Sequence, residues 1–494
     1  MKLLMLRCVK MHFASLEMKK KFVKIRNASM NLHLFKNNRN KILVSICCVF
    51  LSVLFLGNSV FAAMPAFSSD EAVCAADVNT GDVIVEQNAH QKMYPASTTK
   101  TMTALVAMHY VQNKLNQKVT VGDEVNEISG DSSKADIRKG DVLTWRQLLY
   151  ALMLPSGNDA AMTIAANVGR LDAKNSKLSA DAAIKRFVSL MNKEAKTLKL
   201  ENSHFVNPHG YHDDNHYTTA ADLVKIGTQL MKYKAIDEIV KQPAYTCHLK
   251  SGDKKWINTN ALIISTKDLP LVTGSSHDGK KFNPYATGVK TGHTDKAGHC
   301  LVFSSKYKNK SLVAVILHSD NNIWSQANGI INTFDIEYSK VNWTNKDGIY
   351  KTIQLKNVRF ANSKHLTLSS KKQASSYIDK NQKDQYTTTL KLNQSLFKKH
   401  GNTYKLLQTV KVNQKVGTLL VQNNNKTVKR ISLYTTKTIH RRGFIDYLLM
   451  ILIVLIVGFF VFRYFQVKQI KKRRRARAKK RADSIKNNKR QVKR

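Results

Sequence analysis

The sequence predicts an α/β chain of the α+β kind: an antiparallel sheet with a helical subdomain, then a small all-β domain and one C-terminal transmembrane helix. Three observations predict it. Strand-like runs lie at both ends of residues 72–338 with helical patterns between them. Short alternating segments with polar turns fill residues 348–438, and residues 444–462 are apolar around their whole circumference apart from Asp446. A chain of 494 residues is too long for one compact domain, so two folded units with accessory segments are expected.

In chain order, residues 1–41 carry 11 Lys or Arg against Glu17 alone, about +10. An apolar run at 42–56 and small residues up to Ala63 follow, the pattern of an export signal with a long basic leader, expected to cover residues 1–62. Cys47 follows Ile46 rather than a small residue, which argues against a lipoprotein anchor; an uncleaved N-terminal anchor is the alternative.

The first folded unit is expected at residues 63–340. Residues 72–78 and 83–87 read as strands around the turn Asn79-Thr80-Gly81-Asp82. Helices are predicted at 97–110, 144–153 and 158–168, with the turn Pro155-Ser156-Gly157 between the last two. Strands are predicted at 288–291, 300–304 and 312–318, and a closing helix at 323–338.

A join at 341–347 leads to a β domain at 345–440, with strands at 353–360, 387–392, 405–412, 416–422 and 427–434 and a hairpin tip at Asn423-Asn424-Asn425. The transmembrane helix is expected at 444–462. Residues 463–494 carry 16 Lys or Arg against Asp483 alone, about +15, which marks the cytoplasmic side. Nucleic acid is not expected as the tail's partner, because the tail abuts a span and has no aromatic platform among its charges.

The formal net charge is +46, of which about +21 lies between the two basic ends, a balance that suits anionic polymers and equally a solvated lysine-rich surface. Export and stop-transfer signals together place residues 63–442 outside the membrane and exclude cytosolic functions. Cys74, Cys247 and Cys300 are odd in number and lack metal-ligand spacing, so free buried thiols are expected. His209, His212 and His216 with Asp213 and Asp214 read as a polar turn ahead of a helix, and His299 as a packed strand residue.

Three short segments carry the chemistry. Ser97-Thr98-Thr99-Lys100 sits at a predicted helix start, where a spacing of three puts both side chains on one face. A serine hydroxyl is a poor nucleophile until a base takes its proton, and a lysine serves once burial or nearby cations depress its pKa. Ser156-Gly157-Asn158 offers a hydroxyl to relay a proton and an amide to fix a peptide group. Lys290-Thr291-Gly292 offers two groups for a carboxylate and a glycine that lets backbone approach a ligand. Each segment is weak alone, and the order of all three is hard to obtain by chance.

Together they resemble the signature of penicillin-recognising serine enzymes, whose fold is that of β-lactamases and transpeptidases. Tyr94-Pro95-Ala96 before Ser97, Leu154-Pro155 before Ser156, Asp159-Ala160 after Asn158, His293-Thr294 after Gly292, Asn207-Pro208-His209-Gly210 and Asn258-Thr259-Asn260 are similar to one branch, the serine-type D-alanyl-D-alanine carboxypeptidases of low molecular mass. The resemblance covers most of residues 72–338, and the β unit is similar to that family's C-terminal domain. It implies that Ser97 attacks the carbonyl between two D-alanines with Lys100 as base. Ser156 would relay a proton, Asn158 would position the substrate, and Lys290 with Thr291 would bind the terminal carboxylate. The N–H groups of Ser97 and His293 would form the oxyanion hole, beside Gly292.

The implied partners are peptidoglycan stem peptides ending in D-Ala-D-Ala, β-lactams as covalent inhibitors, and the membrane through the C-terminal helix; no metal or cofactor is implied. Two departures stand out: Thr287-Gly288-Val289 before Lys290, and a span with a basic tail where the family has an amphipathic anchor. Three alternatives stay open: an endopeptidase cutting cross-links, a β-lactamase, and a non-enzymatic wall-binding scaffold. The Glu194 region lacks a deacylation motif of the lactamase kind.

Overall fold

The computed structural model describes residues 64–320 and 322–491, so the export signal expected at 1–62 lies outside the described residues. Ala72–Asp77 (β1) and Val83–Gln87 (β2) form the expected hairpin, whose turn is held by Asp77 Oδ1 accepting the N–H groups of Asn79 (3.1 Å) and Thr80 (2.8 Å). Ala286–Thr294 (β3), Gly298–Tyr307 (β4) and Lys310–Ser319 (β5) complete an antiparallel sheet of order β2-β1-β5-β4-β3. Pairing of β1 with β5 brings the two ends of the unit together.

Both faces of this sheet are covered, and the two-residue period sorts the side chains. Val73, Ala75, Phe303, Leu312, Ala314 and Ile316 meet the helix Ile323–Glu337 on one face. Cys74, Cys300, Val302, Val315 and Leu317 face the helical subdomain on the other. The predicted strands at 288–291, 300–304 and 312–318 are shorter than those observed. The ladder continues through Gly292–Thr294 and Ser305–Tyr307, where hydrogen bonding rather than apolar content sets the length.

The helical subdomain is built from Lys100–Val111 (α1), Trp145–Met153 (α2), Asn158–Ala173 (α3), Ala180–Thr197 (α4), Ala220–Leu230 (α5) and Lys234–Val240 (α6), and Ile323–Glu337 is α7. Helix α1 is buried on nearly every side and forms the centre of the unit. The predicted helix at 97–110 instead starts as a 3-10 turn, Ala96–Thr99, and becomes α-helical at Lys100; Ala96, at φ of +47°, marks the sharp entry of the chain into that turn. Thr144 and Gln147 close a capping box on α2, and Ser179 and Thr219 cap α4 and α5. Cys74, Cys247 and Cys300 are free and buried.

The closing helix ends at Glu337, one residue short of the prediction, and residues expected to form a join are a strand, Tyr338–Thr344 (β6), paired with Ala374–Asp379 (β9). The other strands of this C-terminal region are Ile349–Lys356 (β7), His365–Ser369 (β8), Tyr386–Leu392 (β10), Phe397–His400 (β11), Thr403–Leu406 (β12), Lys415–Asn423 (β13) and Lys426–Thr435 (β14), in a sheet of order β10-β13-β14-β8-β7-β12-β11. The predicted strand at 405–412 shrinks to β12, while β8, β9 and β11 carry too many polar residues to stand out in sequence. Asp82, in the turn after β1, accepts from Lys429 Nζ (2.8 Å), Ser376 Oγ (3.2 Å) and the Tyr377 N–H (3.2 Å), and Tyr377 packs into the core beneath α7.

Phe444–Gln491 (α8) is one helix of 48 residues, about 72 Å at 1.5 Å per residue, with a mean hydropathy of 2.8 over its most apolar window. Its apolar start is long enough to cross a bilayer core of about 30 Å. The helix runs on past residue 462 because the basic tail is rich in Lys, Arg and Ala and has neither Gly nor Pro.

Phe303 is fully buried between β4 and α7. Replacing it with alanine is expected to destabilise the protein by about 3–5 kcal/mol, read as a lower urea midpoint. A change within about 0.5 kcal/mol would show that α7 does not depend on this contact.

Candidate active site

The site forms where the Ala96–Thr99 turn, the start of α3 and strand β3 meet. Lys100 is completely buried and bonds three oxygens: Ser97 Oγ at 2.8 Å, Asn158 Oδ1 at 2.7 Å and the His209 carbonyl at 2.9 Å. Burial, helped by the nearby Lys290 charge, holds its pKa well below the usual lysine value. A neutral amine has two N–H donors and one lone pair. In that neutral form Asn158 Oδ1 and the His209 carbonyl, both pure acceptors, would use the two donors and the lone pair would face the Ser97 hydroxyl.

The His209 carbonyl was not assigned a role from sequence, although the Asn-Pro-His-Gly segment that carries it was singled out. Asn207 Oδ1 accepts from the N–H groups of His209 (3.3 Å) and Gly210 (2.7 Å), and its Nδ2 donates to the Tyr211 carbonyl (2.9 Å). Gly210, at φ +84°, packs so closely that a Cβ there would lie 1.8 Å from the Ala96 carbonyl oxygen. His216, also unassigned, is buried; its Nδ1 accepts from Val206 N–H, which leaves Nε2 to donate to Thr99 Oγ1 at 2.8 Å. Burial pushes the pKa of both His209 and His216 down to about 3, so both are neutral across the working range.

Ser156 stands two residues before Asn158, with φ of +67° and a buried Oγ that has no hydrogen-bond partner among the described residues. A strained, unpartnered polar residue in a buried turn costs stability twice over, which is a mark of a working group. Asp159 secures the turn. Its buried carboxylate accepts the N–H groups of Ala135 (2.9 Å), Ile137 (3.1 Å) and Ala160 (2.9 Å), and burial raises its pKa against those bonds. The Asn158 N–H donates to the Ser133 carbonyl (2.9 Å), which brings Ser132 and Ser133 to the cleft wall.

Strand β3 closes the other side. A Cβ on Gly292 would stand 3.0 Å from the Ser97 and Thr98 nitrogens, so glycine is what lets this strand lie against the nucleophile. Lys290 is buried, and burial pushes its pKa down to about 7; its Nζ donates to the Thr291 carbonyl at 3.0 Å. Thr291 Oγ1 and Thr259 Oγ1 are 2.6 Å apart, so the Asn258-Thr259-Asn260 segment supplies a neighbour that sequence left without a role. His293 is exposed, pairs across the ladder with His299, and its ring centroid lies 4.5 Å from that of His299.

Thr287 and Gly288 also gain a reason. Thr287 Oγ1 bonds Ser304 Oγ at 2.6 Å across the strands, and Gly288, at φ +125°, accepts close contact with Val240.

Ser97, Asn158, Tyr211 and His293 line an open cleft of about 430 Å³. The structure therefore brings Ser97, Lys100, Asn158 and Gly292 into direct register, with Lys290 close by, Thr291 and His293 following on the same strand, and Ser156 on the adjoining turn. Among the described residues no group of three His, Cys, Asp or Glu is arranged to hold a metal. His209, His212 and His216 are instead spread among separate partners: the Tyr211 N–H, the edge of the Tyr94 ring, and Thr99.

An antiparallel sheet faced by a central helix whose first turn pairs a serine with a buried lysine defines the class of penicillin-recognising acyl-serine enzymes. Residues 59–321 match the family described as D-alanyl-D-alanine carboxypeptidase, and residues 338–441 match the C-terminal domain of penicillin-binding protein 5. The chain belongs to this D-alanyl-D-alanine carboxypeptidase family and is a serine-type hydrolase. It is 35% identical over 248 residues to the D-alanyl-D-alanine carboxypeptidase of a Streptomyces species, covering 49% of this chain and 77% of that one. It is 26% identical to the D-alanyl-D-alanine carboxypeptidase DacC of Escherichia coli, over 78% of this chain and 92% of the relative. Coverage falls to 54% of the relative for DacF of Bacillus subtilis, at 31% identity. The solved structure of penicillin-binding protein 5 from Haemophilus influenzae shares the fold, with a TM-score of 0.58 at 20% identity over 77% of this chain and all of that one.

The strain and the orphaned hydroxyl at Ser156 give a test. Ser156→Gly is expected to keep or raise the melting temperature, because glycine accepts φ > 0 and no buried hydroxyl remains, while acylation by a labelled penicillin slows at least tenfold. A variant that loses stability and keeps its acylation rate would remove Ser156 from the machinery.

Proposed function

We propose that this chain removes the terminal D-alanine from peptidoglycan stem peptides ending in D-Ala-D-Ala, through an acyl-enzyme on Ser97. The observation that carries the mechanism is the contact of the buried Lys100 Nζ with Ser97 Oγ, Asn158 Oδ1 and the His209 carbonyl: as a neutral amine it spends its two N–H groups on the carbonyl oxygens and turns its lone pair to Ser97. Lys100 takes the Ser97 proton as Oγ bonds to the carbonyl carbon between the two D-alanines. The oxyanion is met by the N–H groups of Ser97 and His293, in a kind of site where one donor contributes about 3 kcal/mol. Gly292 supports this arrangement by holding β3 against the Ser97 turn.

As the C–N bond breaks, the proton passes from Lys100 through the Ser156 hydroxyl to the departing amine, and free D-alanine leaves. Water then gives a proton to Lys100 and attacks the ester, releasing the shortened peptide and restoring Ser97. Asn158 holds both Lys100 and the peptide group of the substrate, and protonated Lys290 with Thr291 binds the terminal carboxylate. A β-lactam offers a similar carbonyl and carboxylate and acylates Ser97 in the same way.

The reading of α8 as a membrane span, with its tail at residues 463–494 in the cytoplasm, places the catalytic unit on the wall face of the membrane. That is where such stem peptides are found.

The direct test gives the full chain in detergent a D-Ala-D-Ala pentapeptide, a cross-linked muropeptide and labelled penicillin, beside Ser97→Ala. Wild type is expected to release D-alanine and to form a stable penicillin adduct; Ser97→Ala is expected to form none and to release D-alanine on the order of 10⁴-fold more slowly or worse. Release at the wild-type rate by the variant would overturn the mechanism. Rapid penicillin turnover with no D-alanine release would favour the lactamase.

The titration of Lys290 sets a second test. With its pKa at about 7 in the free enzyme, the carboxylate-binding ammonium is present below that pH and lost above it, so kcat/KM is expected to fall as pH rises past about 7. Bound carboxylate favours the charged form, so the same limb in kcat lies at higher pH. In Lys290→Arg, which cannot lose its proton in this range, the limb is expected to vanish from kcat/KM. A limb that persists in the arginine variant would assign it to another group.

A further inference from the structure

The chain passes from the β domain into α8 without slack. Ile439 and Arg441 form β-bridges with Val410 and Val358, the Arg359 N–H donates to the His440 carbonyl (3.0 Å), and the Arg442 N–H donates to the Asn357 carbonyl (2.9 Å). Asp446, in the first turn of α8 yet buried, accepts the Gly443 N–H (2.9 Å) and the Phe360 N–H (3.4 Å), with Arg359 Nε at 3.8 Å. The Arg442 guanidinium lies over the Phe360 ring at 4.7 Å. Three segments, 357–364, 407–414 and 436–443, are thus gathered around the point where the helix starts.

Their composition is uniform in sign. Together they hold six cations, Arg359, Lys364, Lys411, Lys437, Arg441 and Arg442, and no Asp or Glu. Two large apolar side chains among them are left in the open, Phe360 at 54% exposure and Val412 at 51%. Arg442 precedes Phe444 by two residues, at most about 7 Å of chain. Each headgroup layer of a bilayer is about 5–8 Å thick. With Phe444 opening the hydrocarbon span, Arg442 and the residues tied to it and to Asp446, Asn357, Arg359 and Phe360 among them, would lie at headgroup depth.

We propose that this base of the β domain is a second membrane contact, in which Phe360 and Val412 insert among the headgroups and the surrounding cations bind anionic phospholipid. The inference rests on the reading of α8 as a membrane span. Charge complementarity selects the lipid: a cationic face whose one neighbouring carboxylate, Asp446, is buried and spent on Gly443, Phe360 and Arg359 gains from phosphatidylglycerol-like headgroups and gains little from zwitterionic ones. Asp446 couples the two contacts, because it ties the start of the helix to the loop that carries Phe360.

The test uses the full chain in nanodiscs of phosphatidylcholine alone or mixed with phosphatidylglycerol, containing lipids brominated either near the headgroup or deep in the tails. Phe360→Trp is expected to be quenched by the shallow bromines at least twice as strongly as wild type, and at least twice as strongly in anionic as in zwitterionic discs. It is also expected to acylate with labelled penicillin like wild type, which confirms a folded catalytic unit. Quenching no greater than wild type would overturn the contact, and equal quenching in both lipids would overturn its assignment to anionic headgroups. Phe459→Trp reports the span separately: without quenching by deep bromines, the membrane reading fails and the inference with it. Deep quenching of Phe459→Trp alongside a silent Phe360→Trp would sink the inference alone.

Discussion

The site depends on keeping one amine out of water. Lys100 has no exposed surface, and an ammonium there would be costly in the absence of a carboxylate bonded to it. The surroundings are chosen accordingly. Two carbonyl oxygens and one hydroxyl match three N–H donors but bring no negative charge, and the neighbouring Lys290 pushes the balance further toward the neutral amine. On the proposed reading desolvation makes this amine a base, and the rest of the fold supplies the walls.

Those walls come from distant parts of the chain. The 3-10 turn at Ala96–Thr99 presents Ser97, the Asn207 turn brings a carbonyl from more than a hundred residues away, and β3 slides in behind with Gly292 as the contact point. Asp159 binds the loop at 135–137 to the start of α3, so the turn that holds Ser156 and Asn158 is fixed on two sides. Asp82 does the analogous work between the two folded regions, holding Lys429 and the backbone of Tyr377. The β domain is therefore part of the same packed body as the site, bound through a buried aromatic and a charged knot.

Much of the candidate site was legible in the sequence because it gathers side chains whose types are rare in combination. Ser97, Lys100, Asn158 and Lys290 declare themselves by identity and spacing. What escaped notice works through the backbone or through burial. The His209 carbonyl could belong to any residue, and the signal for it lies in Asn207 and Gly210, whose purpose is to shape the turn. His216 looked like part of a polar loop, yet it is buried and braces Thr99, because tertiary packing decides which histidines lose their water. The same limit applies to the fold. Strands buried on both faces, such as β5, were visible as apolar runs, whereas β8 and β9 depend on partners that only the folded sheet supplies.

Gly210 and Gly292 press on the nucleophile's turn from two directions, one against the Ala96 carbonyl and the other against the Ser97 and Thr98 nitrogens. A methyl group at Gly210 would clash outright with the Ala96 carbonyl, and one at Gly292 would stand 3.0 Å from the Ser97 and Thr98 nitrogens, tight enough to press on that turn. On the proposed reading a β-lactam and a D-alanyl peptide meet the same turn, so a larger side chain at either glycine would disturb both reactions alike, whereas at the open rim of the cleft, at Tyr211 or Lys296, a new side chain meets solvent before it meets the serine.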